Sequence, residues 1–66
     1  MAIAQMPLLR FECFLTYLTE KGHTKEARIT TQAIAADLAM DKADKRLRAD
    51  KRRNVACVIY GKVIQL

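Results

Sequence analysis

The stretch that most constrains the fold is residues 41–53, which contain no glycine or proline and are predicted to form a helix. Within it, residues 42–53 hold seven lysines and arginines against two aspartates, an excess equal to the net charge of +5 of the whole chain. The basicity is therefore concentrated in one element. Such a concentration is typical of nucleic-acid-binding proteins. A solvated charged surface is the alternative, and the i,i+4 ion pairs in this stretch fit that alternative.

The predicted basic helix has two different sides. At about 100° per residue, Ala43 and Leu47 lie on one stripe, which predicts that both side chains face the core. The opposite side carries three cations and a small residue, which are Lys45, Arg48, Arg52 and Ala49. We therefore expect the cations to face solvent or a partner while the stripe is buried.

The length of 66 residues allows one domain at most. A chain this short buries only about 60% of its unfolded surface, so dimerisation would be a common way to gain stability. Cys13 and Cys57 show no C-x-x-C spacing and are expected to be reduced thiols, with a disulfide between them as the alternative. The start lacks the basic region of a signal peptide, and no apolar run approaches the roughly 20 residues of a membrane span. We expect a cytoplasmic protein that does not enter a membrane.

Apolar spacing divides the first two thirds of the chain into helices. After a loose lead-in at residues 1–6, residues 7–21 are predicted to form a helix that ends at Gly22. Its apolar stripe consists of Leu8, Phe11, Phe14, Leu15 and Leu18. Residues 32–39 are predicted to form a second helix, and a bend near Met40 separates it from the basic helix. Its buried face is expected to consist of Ile34, Ala35 and Leu38.

The C-terminal part is predicted to be a β-hairpin. Residues 55–60 and 63–66 are rich in β-branched side chains, which favour strands. Gly61 and Lys62 between them are the predicted turn. Ile29 is a candidate for a short third strand.

The order of these elements resembles the winged helix-turn-helix domains of bacterial and phage transcription regulators. Residues 29–42 carry the resemblance, because Thr30 to Leu38 match a T-x-x-x-I-A-x-x-L run in the second helix of that family. The chain departs from the family at Ala39, where the family has glycine, and at Lys45, where it has an apolar residue. The resemblance implies an α+β fold of three helices followed by a C-terminal β-hairpin, with residues 1–66 as a single winged helix-turn-helix domain.

The resemblance also implies a function, that of a small sequence-specific protein that binds duplex DNA and regulates transcription. Residues 42–53 would insert into the major groove, and a domain of this size would act as a homodimer or beside a partner protein. The candidate base contacts are Lys42, Lys45 and Arg46. The candidate phosphate contacts are Thr31, Arg48, Arg52 and Arg53, and Lys62 at the hairpin tip would reach an adjacent groove or the backbone. Neutralising about five phosphates would give a slope of about −4.5 in log K against log salt.

Two other functions stay open on the sequence alone. One is an RNA-binding module that uses the same basic helix, although the aromatic residues suggest no platform for stacking bases. The other is a protein-binding adaptor that docks the basic helix on an acidic partner surface. The chain has no glycine-rich phosphate loop, no nucleophile with a nearby base and no metal-ligand spacing. We therefore expect no enzymatic activity, cofactor, metal or small-molecule ligand, and we expect the only histidine, His23, to be an exposed loop residue.

Overall fold

The computed structural model describes residues 7–66, which form a three-stranded antiparallel sheet with one helix packed on one face. The elements in chain order are β1 (Leu9–Thr19), β2 (Thr24–Ala33), α1 (Ala36–Ala49), a 3₁₀ turn (Lys51–Arg53) and β3 (Val55–Gln65). The prediction of three helices followed by a hairpin is therefore wrong. The predicted lead-in at residues 1–6 lies outside the described residues.

The strand order in the sheet is β2-β1-β3, with β1 in the centre. Strand β1 is antiparallel to β2, from Leu9 opposite Ala33 to Leu18 opposite Thr24, and it is also antiparallel to β3. Strands β2 and β3 therefore run parallel to each other, and α1 forms the crossover between them. This arrangement is a split βαβ unit preceded by an antiparallel strand that fills the gap.

The core lies between α1 and the face of the sheet that α1 covers. Alternate residues of β1 point into it, as the two-residue period of a strand requires. The buried residues of β1 are Phe11, Cys13, Leu15, Tyr17 and Thr19. The helix contributes Ala39, Met40, Ala43 and Leu47. The prediction that Ala43 and Leu47 face the core is confirmed, and the small alanines let the helix lie close to the sheet.

The segment predicted as the first helix is strand β1. It resembles a helix in sequence because it is apolar on both of its faces. Phe14 and Leu18 lie on the face away from α1, so their spacing combines with that of the buried residues to imitate a helical stripe. Gly22 lies in the turn between β1 and β2 with φ of 87°, which is the left-handed conformation expected of it, although no helix precedes it.

The predicted second and third helices are also rearranged. Residues 32 and 33 end β2, and α1 runs without a bend through the buried Met40 to Ala49. Ile34 and Leu38, expected on a buried face, are 41% and 43% exposed. The basic stretch leaves the helix at Asp50, whose carboxylate accepts a hydrogen bond from the Arg52 N–H at 3.1 Å. The predicted helix at residues 42–53 is therefore the second half of α1 followed by a 3₁₀ turn.

The predicted hairpin is one continuous strand, β3, with a bulge in place of a turn. The pairing shifts from Cys13 opposite Val63 to Leu15 opposite Tyr60, so two residues of β3 face one residue of β1. Gly61 is required at the bulge, because a Cβ atom there would lie 2.5 Å from the carbonyl oxygen of Phe14. No helix within residues 7–66 combines the length and the apolar composition needed to cross a membrane.

Candidate functional site

Ion pairing divides the cations of this chain into two groups. All twelve lysines and arginines and all seven acidic residues of the sequence lie within the described residues. Four cations pair with acids, in Arg28–Glu12 at 3.9 Å, Lys45–Asp41 at 3.2 Å, Arg48–Asp44 at 2.7 Å and Arg53–Asp50 at 3.2 Å. Exposed pairs of this kind add little stability, but they cancel charge locally. The positive potential therefore comes mainly from the remaining cations.

The solvent-facing side and the β3 side of α1 are close to neutral. Lys45 and Arg48, both expected to contact DNA, pair with the aspartates one turn earlier. Asp44 also accepts a hydrogen bond from the Tyr60 hydroxyl at 2.6 Å. Burial alone would raise the pKa of Asp44, but the hydrogen bonds from Tyr60 and Arg48 outweigh it and lower the pKa below its usual value of 3.8. The carboxylate is therefore ionised at neutral pH and offsets the charge of Arg48.

The β2 side of α1 is different, because its cations meet main-chain oxygens instead of carboxylates. The ammonium group of Lys42 donates to the carbonyl of Gln32 at 2.7 Å, and the guanidinium of Arg46 donates to the carbonyl of Thr30 at 3.1 Å. Strand β2 pairs only with β1, so these alternate carbonyls belong to its free edge. The two side chains cover the free edge, and neither of them pairs with a carboxylate of the described residues.

A first depression opens beside these two cations. It has a volume of about 430 Å³ and is lined by Arg10, Thr30, Thr31, Gln32, Lys42 and Arg46. We call it the β2 depression. Its lining contains three cations, two hydroxyls and an amide, and no acidic side chain. This composition suits an anion that accepts several hydrogen bonds, such as a phosphate.

A second depression lies at the other end of β2, where the turn after β1 meets the 3₁₀ turn. It has a volume of about 170 Å³ and is lined by Thr19, Lys21, His23, Lys25, Arg52, Arg53 and Asn54. We call it the turn depression. The N–H of Glu20 donates to the carbonyl of Asn54 at 2.9 Å, which holds the two turns together. Arg53 is fixed by the Tyr17 hydroxyl at 3.2 Å as well as by Asp50.

The two depressions lie along the same strand. Lys25 lines the turn depression and Thr30, five positions later in β2, lines the β2 depression, which is about 17 Å of extended strand. One strand of B-DNA advances about 3.4 Å along the helix axis per nucleotide, so this distance corresponds to about five nucleotide steps along the axis. The two groups of cations can therefore contact phosphates at two separate places on a duplex.

The structure brings some of the predicted site residues together and separates others. Thr31, Lys42 and Arg46 line the β2 depression, and Arg52 and Arg53 line the turn depression. Lys45 and Arg48 lie on other sides of α1, and Lys62 lies on the far face of the sheet, 5.1 Å from the centre of the Phe14 ring.

Three cations of this surface were not predicted from the sequence, namely Arg10, Lys21 and Lys25. They belong to segments predicted as a helix and a loop. Only the register of β1 with β2 brings Arg10 opposite Gln32 and into the lining of the β2 depression. His23 is exposed, as expected, but it lines the turn depression.

Comparisons of the chain with protein-family models, with curated proteins and with solved structures find no match. Within residues 7–66, no three histidine, cysteine, aspartate or glutamate side chains are grouped to hold a metal ion. The functional interpretation therefore rests on the geometry and charge of the two depressions.

Proposed function

We propose that this protein binds duplex DNA through the phosphate backbone, with the β2 depression and the turn depression each facing phosphates. The observation that carries the proposal is the collection of unpaired cations along one side of β2. These cations are Arg10, Lys42 and Arg46 in one depression and Lys21, Lys25 and Arg52 in the other. Contacts to phosphate supply most of the affinity of non-specific DNA binding.

The two helix cations can contact phosphate without leaving the edge of β2. A lysine ammonium has three donors and an arginine guanidinium has five. Lys42 and Arg46 each make one described hydrogen bond to a β2 carbonyl, which leaves further donors for a phosphate in the depression. The edge contacts also restrict both side chains, so less conformational entropy is lost on binding.

The arrangement of α1 favours backbone contacts over insertion of residues 42–53 into the major groove. The helix ends at Ala49, and its solvent-facing side pairs Lys45 with Asp41 and Arg48 with Asp44. A carboxylate beside each of these cations would meet the phosphates that flank the groove and would repel them. Reading of a DNA sequence and a role in transcription stay predictions.

The aromatic residues favour a duplex over a single strand. Proteins that grip single strands stack bases on exposed rings. Phe11 and Tyr17 are buried in the core, and the hydroxyl of Tyr60 is held by Asp44. The ring of Phe14 is half-buried under Lys62. Tyr60 is thus the only exposed ring among the four aromatic residues, and Asp44 holds its hydroxyl, so RNA binding by base stacking has less support.

The test is a salt series of binding to a mixed-sequence duplex, measured by fluorescence anisotropy. Six phosphate contacts predict a slope of about −5.4 in log K against log salt. The double variant Lys42→Ala/Arg46→Ala should bind more weakly and reduce the slope by about 1.8, since each contact contributes about 0.9. The matched control Lys45→Ala/Arg48→Ala removes the same charge from the same helix, but from cations already paired with acids, and should keep most of the parent slope.

Two results would contradict the proposal. Equal losses in both double variants would mean that the helix acts through its overall charge and not through the β2 side. No duplex binding by the parent chain even at low salt would favour the adaptor function, in which the same cations meet an acidic protein. Competition with single-stranded RNA tests the remaining alternative, an RNA-binding module. Such a module would release the duplex when RNA is added, whereas a duplex-binding protein would retain it.

A further inference from the structure

The two free edges of the sheet differ in how they are protected from pairing with another strand. The edge of β2 is covered by Lys42 and Arg46, and β2 itself carries three charged side chains. The edge of β3 has no such cover from the described residues, and Lys62 is the only charged residue among the eleven of β3. Natural proteins usually cover an edge strand or charge it, so an open neutral edge is a site for strand pairing.

Exposed apolar side chains collect on the same strand. Ile59 is 62% exposed, and Tyr60, Ile64 and the adjoining Leu66 are also exposed. Ile59 and Ile64 lie on the face of the sheet away from α1, opposite Thr16 and Glu12 of β1. Single exposed apolar residues are common, but three on one edge strand together with the adjoining Leu66 indicate an interaction surface.

The main chain of β3 offers unpaired groups in the pattern that a new strand needs. The N–H of Leu66 donates to the carbonyl of Arg10 at 2.9 Å, while Phe11 lies opposite Gln65. In an antiparallel ladder this pattern turns the N–H and C=O groups of Gln65 and Val63 away from β1. These groups face the free edge.

We infer that a second copy of this chain pairs antiparallel with β3, which gives a six-stranded sheet in the order β2-β1-β3-β3-β1-β2. A two-fold axis perpendicular to the sheet relates the copies, so both helices lie on the same face and run in opposite directions. Each helix lies over β1, and three strand spacings separate the two β1 strands, or about 14 Å. The long side chains on the β3 side of each helix can meet across that distance.

Charge complementarity selects a second copy as the occupant. The first half of α1 contains Asp37 and Asp41, and three of its four cations, Lys45, Arg46 and Arg48, lie in the second half. Antiparallel helices therefore place the acidic half of one copy opposite the basic half of the other. The neutral β3 edges add no dense like charge to oppose this contact. The inference concerns a surface remote from the β2 side and does not depend on the proposed function.

The test measures the molar mass of the parent chain in solution over a range of concentrations by sedimentation equilibrium, with no DNA present. The expected mass is about 15 kDa, twice the 7.5 kDa of one chain. Ile59→Lys places a charge at the contact and should give the mass of one chain. Leu38→Lys makes the same change at an exposed leucine of α1 and should leave the dimer intact. Circular dichroism checks that both variants fold.

A second variant separates edge pairing from stacking of the two open sheet faces. Gln65→Pro removes an N–H that faces the free edge and keeps the pairing with β1, so it should also give monomers. If Gln65→Pro stays dimeric while Ile59→Lys does not, the open faces stack and the inference is wrong. A parent chain that is monomeric at all concentrations would also overturn it. In the dimer, the amides of Val63 and Gln65 should exchange with solvent slowly, and in Ile59→Lys they should exchange fast.

Discussion

Two leucines of α1 provide a direct test of the architecture. Leu47 is 1% exposed and packs in the core, whereas Leu38 is 43% exposed on the solvent side of the same helix. In a three-helix arrangement Leu38 would instead belong to the buried face of a second helix. Truncating Leu38 to alanine therefore gives different results in the two folds, whereas Leu47→Ala is costly in both.

The expected costs follow from burial. Leu47→Ala removes a fully buried side chain, which destabilises proteins by about 2–5 kcal/mol. A chain of this length has a free energy of unfolding of roughly 3–10 kcal/mol, so the variant loses a large part of it. The melting temperature should fall by about 10 °C or more, at roughly 4–8 °C per kcal/mol. Leu38→Ala should change the free energy of unfolding by no more than about 0.5 kcal/mol, because alanine is at least as good a helix former.

Urea unfolding followed by circular dichroism measures both costs. The dependence of the free energy on urea concentration should be the same for the parent and both variants, so that the midpoints can be compared. A cost for Leu38→Ala equal to that of Leu47→Ala would show that Leu38 is buried and would refute the packing described above. A negligible cost for Leu47→Ala would refute the position of the core.

Three further perturbations test separate parts of the fold. Gly61→Ala should shift or destabilise β3, because the new Cβ meets a main-chain oxygen of Phe14, and amide exchange along β3 should rise. The thiol of Cys57 is exposed and should react at once with a thiol reagent, whereas Cys13 is buried, with its pKa raised by burial, and should react only on unfolding. The folded pKa of Asp44 is lowered, so its stabilisation is present above the unfolded pKa and is lost as the pH falls through the folded value. In Asp44→Asn, the free energy of unfolding measured in urea should therefore fall less than in the parent chain as the pH is lowered below about 4.

The helix stripe could be predicted from the sequence because it is a local property. Ala43 and Leu47 are one turn apart, and their burial needs only the helical period. The nature of β1 could not be decided in the same way. Its buried residues alternate from Phe11 to Tyr17, which is a strand signal, but Phe14 and Leu18 fill the other face and hide the alternation. Gly61 was predicted to lie in a turn and lies in a bulge instead, because a bulge and a turn use the same residue type.

The candidate site was predictable where it depends on α1 and unpredictable where it depends on strand register. Lys42 and Arg46 were named from the charge of the helix, and the i,i+4 pair of Lys45 with Asp41 was visible in the spacing. Arg10 joins the β2 depression only through a pairing between residues more than twenty positions apart in the chain. No periodic pattern in a single sequence specifies such a pairing.

The two sides of α1 show how edge protection and anion binding can depend on the same chemistry. A free strand edge exposes carbonyl oxygens, and a phosphate also presents oxygens, so cations that donate to one can donate to the other. Lys42 and Arg46 cover the edge of β2 without any carboxylate, and the surface beside them stays positive. On the β3 side, Asp44 neutralises Arg48 and no side chain of α1 donates to the β3 edge. That side lacks the charge to attract a phosphate backbone, and it keeps the open edge that a second copy needs.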